Sequence, residues 1–219
     1  MTGRVAPERL PIENGTLAWF RAHRWGISAT DAPAVLSASP SLTAQELWKA
    51  KTGRDPAQVS DAELVRRADR DSSTFGIDLY LLRRYTEMTG RRARRAFGLW
   101  RSRTHPWMLA SVDARVVGDR RIILVEKGLF GGYNPAVALP GMVQMQHTLE
   151  VTGADVADVI VMGGHDQRVA EVPRDEELIA EIVAVEAAFW RAVEAGRWPP
   201  TGPRSRCCRP RYSVMIRQD

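Results

Sequence analysis

The sequence predicts an α/β (α+β) protein, a mixed central sheet flanked by helices. Three observations predict it. Hydrophobic spacing is helical up to Gly90, changes to a period of two from Trp107, and turns helical again over Gly141–Val151 and Arg174–Ala195. Turn signals at Gly118-Asp119 and Gly163-Gly164 each separate two strand-like runs, as hairpins do. The 219 residues are 44% hydrophobic and 26% charged, an ordinary globular balance that excludes a disordered or fibrous chain.

The elements follow in order. Residues 16–25 (TLAWFRAHRW) place Leu17, Phe20, Arg21 and Arg24 at helical spacing. Ser28 or Thr30 supplies an N-cap for a short helix through Leu36. Thr43 opens the next helix, Glu46 stands three residues on as in a capping box, and Gly53 closes it. Residues 55–75 are polar, with a helical turn or two over Asp61–Ala68. A helix over 76–89 ends at Gly90, and RRARRAF follows as a strand or a helix extension. Trp107–Val116 and Arg121–Lys127 are strands of one hairpin, and 128–135 is a loop. Gly141–Val151 is a helix ended by Gly153, and Val156–Met162 pairs with Arg168–Val172. Arg174–Ala195 is the last helix; Asp175, Glu176 and Glu177 complement its N-terminal dipole, and Glu186 interrupts an otherwise apolar face. Residues 1–200 are therefore read as one domain and 201–219 as a basic, flexible tail.

Composition narrows the function classes. No run approaches the roughly 20 apolar residues that span a bilayer, and Met1–Pro11 has no apolar signal core. The chain is read as cytosolic. Its only cysteines, Cys207 and Cys208, are adjacent, which excludes a zinc-finger spacing and suits a reducing compartment. Thirty-one basic residues face 26 acidic ones, for a net charge of +5. Lys49, Lys51 and Lys127 are the only lysines, and arginine is the better bidentate partner for phosphate.

The hairpin carries the chemistry. Asp113 lies on HPWMLASVDARV and Glu126 on the neighbouring RIILVEK, with Lys127 directly after it. A turn at Gly118-Asp119 sets Ser111, Asp113 and Arg115 beside Ile122, Leu124 and Glu126. Two carboxylates on adjacent strands suit a hard cation such as Mg²⁺, which activates water against a phosphodiester.

The segments RWGISATDAPAVLSASPSLTAQELWKAKTG, HPWMLASVDARV, IILVEKG and VQMQHTLEVTG occur in this order. Together they resemble the YqaJ-type viral recombinase family, relatives of the phage lambda-type exonucleases in the PD-(D/E)XK nuclease superfamily, from about Leu17 to Pro200. The resemblance implies a restriction-endonuclease-like core and Mg²⁺- or Mn²⁺-assisted hydrolysis, usually from a DNA end. It implies Asp113 and Glu126 as metal ligands, Gln144 as a residue that helps hold the site, and Arg24 and Thr30 as a pocket for DNA phosphate. It also implies a phage or prophage protein, with a single-strand annealing protein as a partner and a homo-oligomer as an assembly that would suit processivity. Two positions depart from the family. The lysine of E-x-K falls on Gly128, and Lys127 comes one residue early, on the opposite face of a regular strand. The helix glutamate falls on Tyr80, with Asp78 or Glu87 as substitutes.

Arg83, Arg84, Arg91, Arg92, Arg94, Arg95, Arg101 and Arg103 crowd just before the hairpin and are read as a phosphate-tracking patch, with Arg91, Arg92, Arg94 and Arg95 at its centre. Trp100 and Trp107 are read as core or rim packing rather than stacking platforms. His147 is read as a packed residue rather than a ligand, and His105 as a loop residue. Arg204, Arg206, Arg209 and Arg211 form a second basic cluster. The leading function is a metal-dependent DNA exonuclease. The alternative is a catalytically inactive DNA-end-binding protein of the same fold. A Cas4-like endonuclease is opposed by the cysteine count, since an iron–sulfur cluster needs four ligands.

Overall fold

The computed structural model describes residues 5–13, 16–54, 63, 66, 75–96, 98–126, 135–163, 166–197 and 215–217. The readings made for Asp61–Ala68 (apart from positions 63 and 66), Lys127, Gly128, Gly164, the basic cluster Arg204–Arg211 and the two cysteines lie outside the described residues.

The strands are β1 (Glu8–Leu10), β2 (Ile27–Ser28), β3 (Ala93–Arg95), β4 (Leu99–Arg101), β5 (Met108–Ser111), β6 (Ala114–Val116), β7 (Arg121–Glu126), β8 (Val156–Gly163), β9 (Asp166–Pro173) and β10 (Met215–Arg217). The helices are α1 (Leu17–Ala22), α2 (Ala32–Val35), α3 (Ala44–Lys51), α4 (Phe75–Thr89), α5 (Pro135–Thr152) and α6 (Glu176–Glu194). A 3₁₀ turn, His23–Trp25, extends α1.

The class is mixed α+β, as expected, but the strands form two sheets. One has the order β1-β4-β5-β2 and the other β10-β9-β8-β7-β6-β3. Each contains one parallel pair, β2 with β5 and β7 with β8. The run Trp107–Val116, expected as one strand, is β5 and β6, with Val112 and Asp113 passing from the small sheet to the large one. Alternation reports which face a side chain takes; it does not report which strand the backbone bonds, so the change of sheet leaves no mark on the pattern.

Period-two alternation in the large sheet sorts its core into two layers. Ala114, Val116, Ile123, Ile160 and Val169 pack with Leu81, Leu82 and Tyr85 of α4. Ile122, Ala157, Val159 and Val172 pack with Met142, Val143 and Leu149 of α5 and with Leu178, Ile182 and Phe189 of α6. Strands covered on both faces read as continuous apolar runs, which is why Ile122 and Ile123 are both fully buried. Each such side chain contributes roughly 1.5–3 kcal/mol by leaving water.

Local signals are obeyed where they are strong. Thr43 and Glu46 form the complete capping box, and Asp175 caps α6 by accepting the Glu177 and Leu178 backbone N–H groups. The N-cap expected from Ser28 or Thr30 is instead Asp31, which makes no side-chain cap because its carboxylate turns back to the Ser28 N–H. Helix α5 begins at Pro135 rather than Gly141 and carries Pro140 within it. Within the segment read as a tail, β10 adds antiparallel to β9. Gly26 is required by close approach: a Cβ there would lie 2.7 Å from the Trp107 carbonyl oxygen.

Candidate active site

The candidate site begins at the step between the sheets. The Asp113 N–H donates to the Ile123 carbonyl at 3.2 Å, and the Ala96 N–H donates to the Asp113 carbonyl at 3.2 Å. Ala114 stands opposite Ile123 and Arg115 opposite Ile122. The next position, half-buried Asp113, therefore falls beside Leu124 on the face covered by α5. Position 126 ends β7 in the same row, two residues on, opposite Val161 of β8. The register thus places Asp113 and Glu126 on neighbouring strands at one end of the sheet. Carboxylates at these two positions offer oxygen donors only, the set that fits a hard divalent cation keeping most of its own water; the Glu126 side chain itself lies outside the described residues. Among the described residues, no group of three or more His, Cys, Asp or Glu side chains is placed to hold a metal.

Helix α5 covers this face of the sheet. Gln144 is half-buried on it, and its carbonyl accepts the Thr148 hydroxyl at 2.8 Å. Gln146, which sequence reasoning passed over, is 1% exposed and ties α5 to the start of α6. Its amide donates to the Pro173 carbonyl at 2.8 Å and accepts the Asp175 N–H at 2.9 Å. His147 is wholly buried, with Nδ1 2.8 Å from Glu186 Oε1 and Nε2 3.0 Å from the Leu109 carbonyl. Only an N–H can face that carbonyl, so Nε2 is protonated and a second proton lies between Nδ1 and Glu186. Burial lowers the imidazole's affinity for a proton, yet the Glu186 charge and both hydrogen bonds outweigh it, and His147 is held above its ordinary range. Burial pushes Glu186 up, against the pull of His147. His147 is a packed residue, as expected, and Glu186 on an apolar face was the visible trace of its partner.

The segment carrying Arg24 and Thr30 lies along β5. Ile27 pairs with Met108 and Ser28 with Leu109. Arg24 and Thr30 are both exposed. Beneath them Lys51 Nζ lies 2.7 Å from Asp31 Oδ2 and 2.6 Å from the His23 carbonyl. Burial would raise the Asp31 carboxyl, but the Lys51 ammonium and the Ser28 N–H hold it below the usual carboxylate range. Trp19 Nε1 donates to Ser111 Oγ at 3.1 Å and so joins α1 to the strand that leads into Asp113. Lys51 and Asp31 were not singled out from the sequence; a lysine in a chain that otherwise uses arginine was the available signal.

The arginine cluster divides. Arg83 and Arg84 both hold Glu87, at 3.0 and 2.7 Å, and Arg101 holds Glu8 at 2.7 Å. Arg91 faces Asp158 at 3.5 Å and Glu171 at 3.2 Å. Arg121 joins them at 2.7 and 3.4 Å, and the Tyr85 hydroxyl donates to Asp158 at 2.5 Å. Arg92, Arg94 and Arg103 remain exposed. Along β3, Arg95 stands opposite Ala114, nearest to Asp113, and Arg94 stands opposite Arg115. Glu87, proposed as a stand-in for the helix glutamate, is engaged by Arg83 and Arg84, while Tyr80 at the expected position is 53% exposed. Trp100 and Trp107 are half-buried, Trp100 beneath the Arg115 guanidinium at 4.5 Å. Both are packing residues, as read from the sequence.

Comparison with known proteins bears on this arrangement. The family model of the YqaJ-like viral recombinase domain matches residues 18–155. The uncharacterized protein YqaJ of Bacillus subtilis (strain 168) is 28% identical over 193 residues, covering 83% of this chain. The chain spans 57% of that relative's length. The crystal structure of an alkaline exonuclease from Laribacter hongkongensis aligns with a TM-score of 0.61 at 21% identity, covering 83% of this chain and 94% of that one. The same exonuclease in complex with dAMP aligns with a TM-score of 0.60 at 22% identity. The shared feature at this identity is the fold, the PD-(D/E)XK type of the alkaline exonucleases.

Proposed function

Since the chain belongs to the YqaJ-like viral recombinase family, we propose that it is a divalent-metal-dependent DNA exonuclease of the phage recombination type. The observation that carries this reading is the register that sets Asp113 beside the row ending in Glu126, under α5. Asp113 and Glu126 would hold Mg²⁺ or Mn²⁺, which when bound lowers the pKa of water and stabilises charge on the phosphate. Hydrolysis adds water across one phosphodiester: an oxygen bonds to phosphorus, the bond to the departing oxygen breaks, and that oxygen takes a proton. Gln144 helps to orient the site from α5. Arg24 and Thr30 take a DNA phosphate, and Arg92, Arg94 and Arg95 follow the backbone. Arg91 contributes less to binding, because Asp158 and Glu171 already face it. Lys127 takes the part of the absent E-x-K lysine. The natural setting is the cytoplasm of a bacterial host, acting on duplex ends for an annealing partner, where a homo-oligomeric assembly would suit processive digestion.

The rate is reduced relative to an intact site. Gly128 supplies no charge at the lysine position and Tyr80 no carboxylate at the helix position; loss of one such transition-state group costs about 10²–10³ in rate. The same two positions favour the second reading, an inactive DNA-end-binding protein. End-labelled linear duplex with Mg²⁺ or Mn²⁺ separates the two. Metal-dependent loss of label that disappears in Asp113→Ala and Glu126→Ala supports the enzyme. Digestion that survives both substitutions sinks this site. No digestion, with salt-sensitive binding retained, establishes the binding protein.

A further inference from the structure

Lys51 is the last residue of α3, and its side chain is only 6% exposed. Its ammonium makes two charge-assisted bonds inside the protein, 2.6 Å to the His23 carbonyl and 2.7 Å to Asp31 Oδ2. The same Asp31 oxygen accepts the Ser28 N–H at 2.9 Å, and the Asp31 N–H returns to the Ser28 carbonyl at 2.9 Å. Ser28 Oγ lies 2.9 Å from Thr30 Oγ1. His23 immediately precedes Arg24, and Asp31 immediately follows Thr30. One buried cation therefore ties together the two ends of the segment that carries both exposed side chains. Between those ends the backbone is pinned by Ile27 N–H on the Trp107 carbonyl at 2.6 Å, and Gly26 leaves no room to shift against β5. Buried below that segment, the ammonium acts on a phosphate through Arg24 and Thr30 rather than by touching it.

We propose that Lys51 is a positioning residue for DNA phosphate: by joining His23 to Asp31 it sets the backbone from which Arg24 and Thr30 reach the ligand. The inference rests on the reading of Arg24 and Thr30 as phosphate contacts. A charged group that is replaced together with its partner often leaves stability nearly unchanged, whereas removing one partner strands the other. Stability alone is therefore not the informative readout.

The test measures binding of a short duplex with a phosphorylated end and of the same duplex with a hydroxyl end. Fluorescence anisotropy in EDTA keeps the DNA intact. The full chain is compared with Arg24→Ala, Lys51→Met and the double variant. We expect each single substitution to weaken the phosphorylated end about tenfold and the hydroxyl end little, with the double variant losing far less than the product of the two. Losses that multiply overturn the proposal, since Lys51 would then act independently of Arg24. A loss in Arg24→Ala with none in Lys51→Met overturns the role of Lys51 alone. A loss in neither overturns the phosphate pocket, and Lys51's part with it. If Lys51→Met does not fold, the paired replacement Asp31→Leu with Lys51→Met leaves no buried charge stranded and carries the same expectation.

Discussion

The two faces of the six-stranded sheet hold charge in opposite ways. On the α4 face, Asp158 and Glu171 are met by Arg91, Arg121 and the Tyr85 hydroxyl, a closed network in which opposite charges alternate. On the α5 face, Arg94 stands opposite Arg115 across β3 and β6, and Asp113 lies two residues before Arg115. Like charges in register oppose pairing. Burial, and then the nearby Arg94, lower the pKa of Arg115, and its guanidinium rests on Trp100. The first face is organised by charge within the protein. The second sets like charges near one another, the arrangement expected where a charged ligand completes the site. Abundance of arginine is thus a poor guide to nucleic-acid contact; what each guanidinium faces decides.

The sharpest way to break this comparison is to remove Asp158. Asp158→Ala leaves Arg121 and Arg91 with Glu171 alone as counter-charge and takes the acceptor from the buried Tyr85 hydroxyl, and is expected to cost about 3 kcal/mol of stability in urea unfolding. Asp113→Asn, on the other face, is expected to cost under about 1 kcal/mol, as half-buried polar substitutions commonly do. Equal costs would erase the distinction between the faces. The next effect is on rate. Gly128→Lys restores the E-x-K spacing and is expected to raise Mg²⁺-dependent digestion by about 10–100-fold, a fraction of what such a group usually contributes. An unchanged rate, with the variant folded, would mean that Lys127 already fills the role or that the site is dead for another reason.

The smallest effects are in pH dependence, and they run in opposite directions for the His147–Glu186 and Asp31–Lys51 pairs. His147 and Glu186 both bind their proton more tightly when folded. The stability that His147 contributes is fully present below histidine's ordinary value of about 6.5 and is lost as pH rises through its raised folded value. Asp31 is depressed, so its contribution is present above the ordinary aspartate value of about 3.9 and is lost as pH falls through the lower folded value. Urea midpoints across pH are expected to fall on both sides. His147→Gln should flatten the alkaline limb alone and Asp31→Asn the acid limb alone. A variant that flattens the wrong limb would reverse the assignment.

Much of this protein is written locally. The capping box of Thr43 and Glu46, the Asp175 cap and the turn at Gly118 arise from residues a few positions apart, so chain connectivity already holds the partners together. Asp113 and Glu126 were legible for the same reason, since a short hairpin fixes their register. Other features depend on residues brought together from distant parts of the chain. Lys51 meets Asp31 across 20 positions, His147 meets Glu186 across 39, and Trp19 meets Ser111 across 92. Arg91 and Arg92 are neighbours in one basic run, yet only the packing of α4 on the sheet turned the first toward Asp158 and left the second exposed. Sequence alone determined the main helices, the charge and the hairpin that carries the two carboxylates, because propensity, capping and alternation act over a few residues. Tertiary structure decided the division into two sheets, the partners of each buried charge and which arginines face solvent. Those outcomes depend on backbone hydrogen bonds and desolvation between segments whose separation in the chain carries no information about their distance in space.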